Sequence, residues 1–481
     1  MPAHFGMIGL GTMGSNLVMN IADHGFEVCG YDRDEKQRKK LQEVAGDRPV
    51  TTAATPEEFV AALQTPRIIM LLVPAGKIVD TVIGEITPLL SKGDILIDGG
   101  NSHYTDTERR YAALRDSGFH FIGMGVSGGE EGARFGPSLM PGGNKESYEL
   151  MRSILEAIAA KSDEGACVAY IGNAAAGHYT KMVHNGIEYA MMQLISEVYG
   201  ILKYGAGISN ERMQQVFAEW NKAELQSFLV EITADIFLKK DDDTGNDLVD
   251  MILDKAKQKG TGLWTSQSAL ELNVPLPTID SAVTMRYLSA LKTERKKAAA
   301  IYPGHTAEAH PDAEQLIAAA RNALYMGFLL AYGQGLQLLT VASAQFNYDI
   351  NIAEVIRVWK GGCIIRSAML NDLRKAYTQD PSLSNLILSP VFSESLQKHR
   401  GDMVSLLQTA MTSGLPAATF AATLSYFDAY CRERLPANLI QAQRDYFGAH
   451  TYERIDKEGV FHADWENKAP TVTPPNKDLQ E

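Results

Sequence analysis

Cysteine is scarce: Cys29, Cys167, Cys363 and Cys431 are the only four in 481 residues, widely separated and without a CxxC pair. That makes a disulfide framework or a cysteine zinc site improbable, and no metal site is expected; a reducing compartment fits. No uninterrupted apolar run reaches the roughly 18 residues that a membrane helix needs. The start of the chain runs directly into an apolar strand pattern, with no basic n-region, apolar h-region and cleavage site before it. A cytoplasmic location is therefore expected. Positive charge is in deficit: 45 Lys and Arg against 58 Asp and Glu leave a formal net charge of -13. A nucleic-acid or anionic-membrane surface is thus a poor main partner, and an anionic substrate has to be gathered by a few placed Arg and Lys. What remains, 45% hydrophobic and 21% charged residues, is an ordinary globular composition on a chain long enough for two or three domains.

Phe5 to Leu10 is a short apolar run ending in Gly9-Leu10-Gly11-Thr12-Met13-Gly14, after which Ser15 to Ala22 reads as a helix. Strand, glycine turn and helix in this order form a dinucleotide fingerprint, because the glycines allow a tight turn and bring helix-start N–H groups to a pyrophosphate. A second strand, Phe26–Tyr31, ends in Asp32, about 20 residues beyond the turn, where an acid can bind an adenine ribose. Further strand patterns at Arg67–Val73, Ile95–Asp98, His120–Val126 and Val168–Ile171 alternate with helical ones at Ile78–Leu90, Asp106–Asp116 and Lys145–Ala160. This alternation predicts a Rossmann-like doubly wound, mostly parallel α/β sheet over residues 1–174. Ligands gather beyond the carboxyl ends of such strands. Three loops there stand out: Val73-Pro74-Ala75-Gly76, where the nicotinamide half of a dinucleotide can pass; Asp98-Gly-Gly-Asn101-Ser102, which carries an amide; and Ser127-Gly128-Gly129-Glu-Glu-Gly-Ala-Arg134. The last, with Pro141-Gly-Gly143, reads as a glycine-rich turn able to offer a hydroxyl and bare N–H groups. A loop tip with ordinary turn chemistry is the alternative for each.

From Gly177 the pattern changes to long segments of 3.6 period: Tyr179–Tyr204, Asn210–Ala223, Leu225–Leu238, Val274–Ala299, Glu314–Ala342, Ile352–Met369, Ser384–Leu388, Val404–Gly414 and Pro416–Arg434. A large all-helical domain is expected over residues 175–434, with helix caps at Ser209-Asn210 and Asn351. Val216–Trp220 and Val355–Trp359 follow comparable long helices, a pattern that a tandem duplication would leave. In the first helix Lys181, His184, Asn185 and Glu188 fall at i, i+3, i+4 and i+7, so an amine, an imidazole, an amide and a carboxylate share one face. Met182, Val183, Ile187 and Ala190 fall opposite, and Gly177 and Gly186 suggest a close backbone approach. A solvated face held by charge pairs is the competing reading. Lys259-Gly-Thr-Gly262 reads either as the end of a helix or as a lysine on a loop facing a phosphate. Arg286 lies in the following helical run, where a surface residue is the default. Residues 435–481 form a tail: a helix-like Ala437–Tyr446 with Arg444, then His450 and Tyr452, and a Pro-rich acidic end, Thr471–Glu481, polar enough to be loosely ordered. The aromatic and basic residues between Arg444 and His462 are enough to expect a packing partner.

With its glycine fingerprint, D-G-G-N-S, S-G-G-E-E-G-A-R, K-M-V-H-N-G-I-E-Y, K-G-T-G and R-D-Y-F-G-A-H, the chain resembles the long-chain 6-phosphogluconate dehydrogenases over nearly its whole length. The resemblance implies a homodimer whose tail reaches the other subunit. It also implies oxidative decarboxylation of 6-phospho-D-gluconate to D-ribulose 5-phosphate and carbon dioxide, a step of gluconate utilisation and the pentose phosphate pathway. It makes Lys181 the general base and Glu188 the general acid. Asn101, Ser127, Gly128, Gly129, His184, Asn185 and Tyr189 would line the sugar-acid site. Lys259, Arg286 and a second subunit's Arg444 would hold the phosphate, with that subunit's His450 close by. On the cofactor side it implies Gly9, Leu10, Gly11, Thr12, Met13 and Gly14, Asp32, Arg33 and Asp34, Val73, Pro74 and Ala75, and Asn101. NADP-using members usually read Asn-Arg-Thr after the second strand, with a lysine in the loop that here holds Pro74. Asp32 and Asp34 would repel a 2'-phosphate, and Asp32 suits a free 2'-hydroxyl, so relaxed specificity between NADP and NAD or a preference for NAD is expected. A non-decarboxylating β-hydroxyacid dehydrogenase and a catalytically silent dinucleotide-binding dimer are the alternatives; the first has no need of Lys259, Arg286, Arg444 or the tail.

Overall fold

The computed structural model describes residues 2–302, 312–465 and 470–471. Beyond Thr471, the stretch expected to be loosely ordered lies outside the described residues. The chain forms two compact units, Met1–Leu424 and Ser425–Glu481.

In the first unit, β1 (Phe5–Ile8), β2 (Val28–Tyr31), β3 (Val50–Ala53), β4 (Ile68–Leu71), β5 (Ile95–Asp98), β6 (His120–Ser127) and β7 (Ser138–Gly143) make one sheet in the order β3-β2-β1-β4-β5-β6-β7. The first six strands are parallel and β7 runs antiparallel to β6. Around them lie α1 (Thr12–Asp23), α2 (Glu35–Ala45), α3 (Pro56–Ala61), α4 (Lys77–Ile86), α5 (Tyr104–Asp116), α6 (Gly129–Phe135) and α7 (Lys145–Ile158). Both faces of the sheet are covered over its centre, which is why β1, β4 and β5 are buried at every residue rather than at alternate ones. Phe5 and Met7 join a core with Leu17, Val18 and Ile21 of α1 and Met151 and Leu155 of α7. Ile8, Ile69 and Leu71 point the other way, to Phe59, Val79 and Leu114. The strand order turns back between β1 and β4, the place where an open α/β sheet leaves a crevice.

Several expectations change. Pro141-Gly142-Gly143 is no turn but the end of β7, with Met124 opposite Pro141. Val168–Ile171 is not a strand; it makes only isolated bridges along β7, Leu139 to Val168 and Gly142 to Gly172. The Ser127–Arg134 turn becomes a helix start, since α6 begins at Gly129. Strand β3, which the sequence reading did not include, is half-exposed at the sheet edge.

The rest of the first unit is helical: a two-stranded β8–β9 hairpin (Lys161–Ser162, Gly165–Ala166) leads into α8 (Ala176–Gly200), α9 (Asn210–Trp220), α10 (Phe228–Ile236), α11 (Leu248–Met251), α12 (Thr261–Glu271), α13 (Pro277–Ala290), α14 (Lys292–Ile301), α15 (Ala313–Phe346), α16 (Ile352–Val358), α17 (Met369–Gln379), α18 (Pro390–Thr412) and the start of α19 (Ala418–Tyr430), whose remainder from Ser425 belongs to the second unit. Ser209 and Asn351 cap α9 and α16 as their sequence positions suggest. The single helix expected over Val274–Ala299 is broken at Leu291, and Ile352–Met369 stops at Val358. Lys259-Gly-Thr-Gly262 opens α12 rather than ending a helix, with Gly260 at φ 97°. The portions ending in Trp220 and Trp359 meet beyond those residues at an antiparallel bridge, Ser227 to Ser367. α15 has the length and composition of a membrane span, but 78% of its apolar window is buried inside the protein, where it packs along α8 and α18.

The second unit holds α20 (Ala437–Gly448) and a small antiparallel sheet of β10 (Tyr452–Glu453), β11 (Val460–Ala463) and β12 (Pro470–Thr471).

Candidate active site

The expected cofactor residues meet at the carboxyl edge of β1, β2, β4 and β5. Gly9 has φ 94°, and a Cβ there would lie 2.5 Å from the Leu72 carbonyl; a Cβ on Gly14 would lie 1.9 Å from the Gly9 carbonyl. These glycines close the turn upon itself, while at Gly11 a Cβ would meet nothing within 4 Å. Gly11 precedes α1 and supplies no side-chain cap, so no capping side chain takes up the first N–H groups of α1. That is the cradle a pyrophosphate requires. Asp32 serves this turn structurally: one carboxylate oxygen accepts the Leu10 N–H (2.8 Å) and the other the Asp34 N–H (2.9 Å). Asp34 in turn caps α2 through the Lys36 N–H. Arg33 is exposed and ion-paired with Glu85.

Val73–Gly76 and Asp98–Ser102 are tied together by Arg110, a buried residue the sequence reading passed over. Its guanidinium donates to Asp98 Oδ2 (3.2 Å), Asp80 Oδ1 (2.8 Å) and the Gly76 carbonyl (2.9 Å), and Ser102 Oγ donates to the same Asp98 oxygen (2.6 Å). Asn101 is left exposed at the head of this braced loop. Only Arg110's place on α5, between Arg109 and Tyr111, was visible from sequence, and nothing local distinguishes it from its exposed neighbour.

Lys181 reaches the sheet because α8 lies directly on β6 and β7. A Cβ at Gly125 would lie 2.5 Å from Lys181 Cβ, at Gly142 2.2 Å from the Gly177 nitrogen, and at Gly177 2.2 Å from the Gly123 and Met140 carbonyls. Side chains at these positions would lift the helix away. The two-faced helix of the sequence reading is therefore buried on every side over its first half, with Lys181 and His184 inside and Asn185 and Glu188 partly exposed.

The seam brings the ionisable row to the end of β6. Lys181 Nζ donates to Ser127 Oγ (3.0 Å) and lies 3.3 Å from His184 Nδ1. Asn185 Oδ1 is 3.0 Å from His184 Nδ1, Ser127 Oγ is 3.3 Å from His184 Nε2, and Glu188 Oε2 is 3.9 Å from Nδ1. A ring proton on Nδ1 satisfies the Asn185 carbonyl and leaves Nε2 to accept from the serine hydroxyl. Burial lowers the pKa of Lys181 below the ordinary lysine value, against the opposing pull of Glu188 and Cys363. Burial, then the neighbouring Lys181 charge, hold His184 well below the usual histidine value. Burial raises Glu188, against the lowering influence of Lys181 and Arg286. The site thus favours a neutral amine and a protonated acid on one helix face, a proton acceptor and a proton donor.

α12 and α13 close the cluster. Asn185 Nδ2 donates to Thr261 Oγ1 (3.2 Å), inside the Lys259–Gly262 motif, and a Cβ on Gly262 would lie 2.5 Å from the Tyr189 ring. Arg286 is half-buried: its guanidinium stacks 3.6 Å from the Tyr189 ring centre and donates to the Lys257 carbonyl (2.9 Å). Lys259 is exposed, and among the described residues it makes no ion pair. Gly128, at φ 115°, packs against the Gly362 carbonyl, where a Cβ would come to 2.6 Å. In the second unit Arg444 and His450 are both exposed.

Two family models match the chain: the NAD binding domain of 6-phosphogluconate dehydrogenase over residues 4–172, and the C-terminal domain of 6-phosphogluconate dehydrogenase over residues 177–465. A relative in Bacillus subtilis named 6-phosphogluconate dehydrogenase, NADP(+)-dependent, decarboxylating, is 53% identical, over 96% of this chain and 98% of the relative. The decarboxylating enzyme of Escherichia coli is 49% identical, over 96% and 98%. Among solved structures, Plasmodium falciparum 6-phosphogluconate dehydrogenase, studied in its apo form and in complex with its cofactor NADP+ and with its substrate 6-phosphogluconate, superposes with a TM-score of 0.94 at 42% identity, covering 96% of this chain and 100% of that one.

Proposed function

The chain belongs to the 6-phosphogluconate dehydrogenase family, and we propose that it uses Lys181 as general base and Glu188 as general acid. It is an NAD(P)-dependent oxidoreductase that converts 6-phospho-D-gluconate to D-ribulose 5-phosphate and carbon dioxide, a step of the pentose phosphate pathway. The observation that carries the assignment of roles is the buried Lys181 amine, 3.0 Å from Ser127 Oγ at the end of β6 and on the same helix face as Glu188.

The glycine turn Gly9–Gly14, residues 32–34, the Val73–Ala75 loop and Asn101 would hold the dinucleotide, whose nicotinamide, when bound, accepts hydride from carbon 3 of the substrate. Neutral Lys181 takes the proton of the carbon 3 hydroxyl; burial lowers its pKa and so favours that neutral form. Now protonated, Lys181 donates to the ketone oxygen, which draws the electrons released as the carboxylate leaves as carbon dioxide. Protonated Glu188, two turns further along α8, delivers a proton to carbon 1 of the enediol. Ser127, Gly128, Gly129, His184, Asn185 and Tyr189 line the sugar acid, and Lys259 and Arg286 receive its phosphate. Fixed orientation by these contacts supplies much of the rate.

The site is completed by a second copy of the chain, whose Arg444 and His450 approach the phosphate. In support, Leu439, Ile440, Tyr446 and Phe447 of α20 leave apolar surface exposed on the unit that bears both residues. We divide the chain at 174 and 434: a nucleotide domain, a helical substrate and dimerisation domain, and a tail. A cytoplasmic location agrees with four free cysteines. Relaxed cofactor choice or a preference for NAD rests on Asp32 and Asp34; their backbone hydrogen bonds offset part of the repulsion of a 2'-phosphate, and Arg33 must leave Glu85 to meet one. Purified protein given 6-phosphogluconate with NADP+ or NAD+ should form reduced nicotinamide and carbon dioxide in equal amounts. Reduction without carbon dioxide would overturn the assigned decarboxylation, and a large NADP advantage in kcat/KM would overturn the reading of Asp32.

A further inference from the structure

Arg444 and His450 lie on one small scaffold, and the residues that brace it play no part in the chemistry above. Asp445, next to Arg444 on α20, is fully buried, and four donors converge on its carboxylate. Thr451 N–H (2.9 Å) and His462 Nδ1 (2.9 Å) reach Oδ1; Ala463 N–H (3.0 Å) and Trp465 Nε1 (2.9 Å) reach Oδ2. One turn earlier, Gln441 Nε2 donates to the Thr451 carbonyl (2.6 Å), and its Oε1 accepts from Arg444 Nη1 (3.3 Å). Both peptide groups of Thr451 are thus held by side chains of α20.

Thr451 needs holding. It sits at φ 61°, a left-handed backbone that β-branched residues rarely adopt, and Ala449, two residues earlier, is at φ 49°. Such strain persists only where surrounding structure over-determines it, and it gathers at functional positions. The two left-handed residues flank His450. Its ring packs so closely on Gly448 that a Cβ there would lie 2.7 Å from Nε2, and it meets the Phe447 ring edge-on at 5.9 Å. The Thr451 hydroxyl donates to the His450 carbonyl (2.7 Å).

We infer that Asp445 and Gln441 are positioning residues that hold Arg444 and His450 as one preformed anion-binding pair for the phosphate of the substrate bound by the partner subunit. This rests on the shared site proposed above. A binding pair already in place loses little freedom on meeting the phosphate, so freeing it should weaken substrate binding more than the chemical step.

The test uses full-length chains. In the Asp445→Ala homodimer, KM for 6-phosphogluconate should rise about tenfold or more with kcat within about threefold, and Asp445→Asn, which keeps one acceptor oxygen, should rise less. Gln441→Ala, a milder change should Asp445→Ala fail to fold, should also raise KM and spare kcat. Hybrid dimers made by coexpressing two differently tagged chains separate positioning from collapse. Pairing Lys181→Ala with Asp445→Ala leaves one site with an intact Lys181 and an intact tail donated across the interface, so that site should show the wild-type KM. The control pairs Lys181→Ala with Arg444→Ala. A control with KM raised to that of the Arg444→Ala homodimer sinks the shared site and this inference with it. Wild-type KM in the control, with unchanged KM in the Asp445→Ala and Gln441→Ala homodimers, sinks the inference alone.

Discussion

The residues proposed to move protons and those proposed to hold phosphate are built in opposite ways. Lys181 and Glu188 sit on a helix pressed against two strands, where burial pushes the amine down and the acid up. Arg444 and His450 sit at the surface of the second unit, on a backbone braced by side chains. The difference follows from the tasks. A proton carrier must be easy to switch, which desolvation achieves by disfavouring its charged form. An anion holder must keep its charge, so it stays wet and is fixed through its backbone instead.

The largest effects are expected at the buried pair. Lys181→Met should lower kcat about a thousandfold or more while leaving NADP+ binding, read by fluorescence titration, near wild type. The same change should raise Tm. Folding lowers the pKa of this lysine, so between its folded and ordinary values the unfolded chain binds the extra proton, and the native state pays for desolvating the amine at neutral pH. That cost shrinks as pH rises, and the apolar isostere removes it. Glu188→Ala comes next: kcat should fall about a hundredfold with KM for 6-phosphogluconate within a few-fold, measured by steady-state kinetics. For the wild type, kcat/KM should fall on the acid side as Lys181 gains a proton and on the alkaline side as Glu188 loses one. Glu188→Ala should remove the alkaline limb alone.

Gly125→Ala tests the seam rather than the groups. Its new methyl would meet Lys181 Cβ at 2.5 Å, so α8 has to shift, and a displacement of this kind costs about a hundredfold in rate even though every ionisable group survives. Unchanged kcat would show that the helix does not depend on close contact with β6. At the exposed pole, Arg444→Ala should raise KM about tenfold or more with kcat changed only a few-fold. Smallest is the effect at the cofactor edge: Glu85→Gln, which frees Arg33 from its ion pair, should improve kcat/KM for NADP about twofold to threefold and leave NAD unchanged, as expected for an exposed pair.

What was legible in the sequence tracks how local each feature is. The turn Gly9–Gly14 and Asp32 could be read because strand, turn and helix are contiguous, and the Lys181–Glu188 row could be read because helical spacing alone aligns it. The strings that carry the family resemblance were equally plain. Pro141-Gly142-Gly143 misled, since such a triplet usually makes a turn; here the glycines of β7 are bare because α8 lies on them, a tertiary fact. For the same reason the row on α8 read as one face of a two-sided helix, although β6, β7 and the other helices together bury most of it. Arg110 was invisible because its importance lies in joining Asp80 and Asp98, residues that become neighbours only when β5 and α4 are in place. Asp445 stood inside a quoted string without a role, because its four donors come from residues 6 to 20 positions further on.

The proposed mechanism needs Lys181 uncharged when substrate binds. Nitrogen and carbon NMR titration of protein carrying labelled lysine, with the Lys181 resonance assigned by its loss in Lys181→Met, reads this directly. A midpoint below the ordinary lysine value of about 10.4 is predicted. A midpoint at or above that value would leave the base protonated when the reaction needs it empty, and would contradict the mechanism.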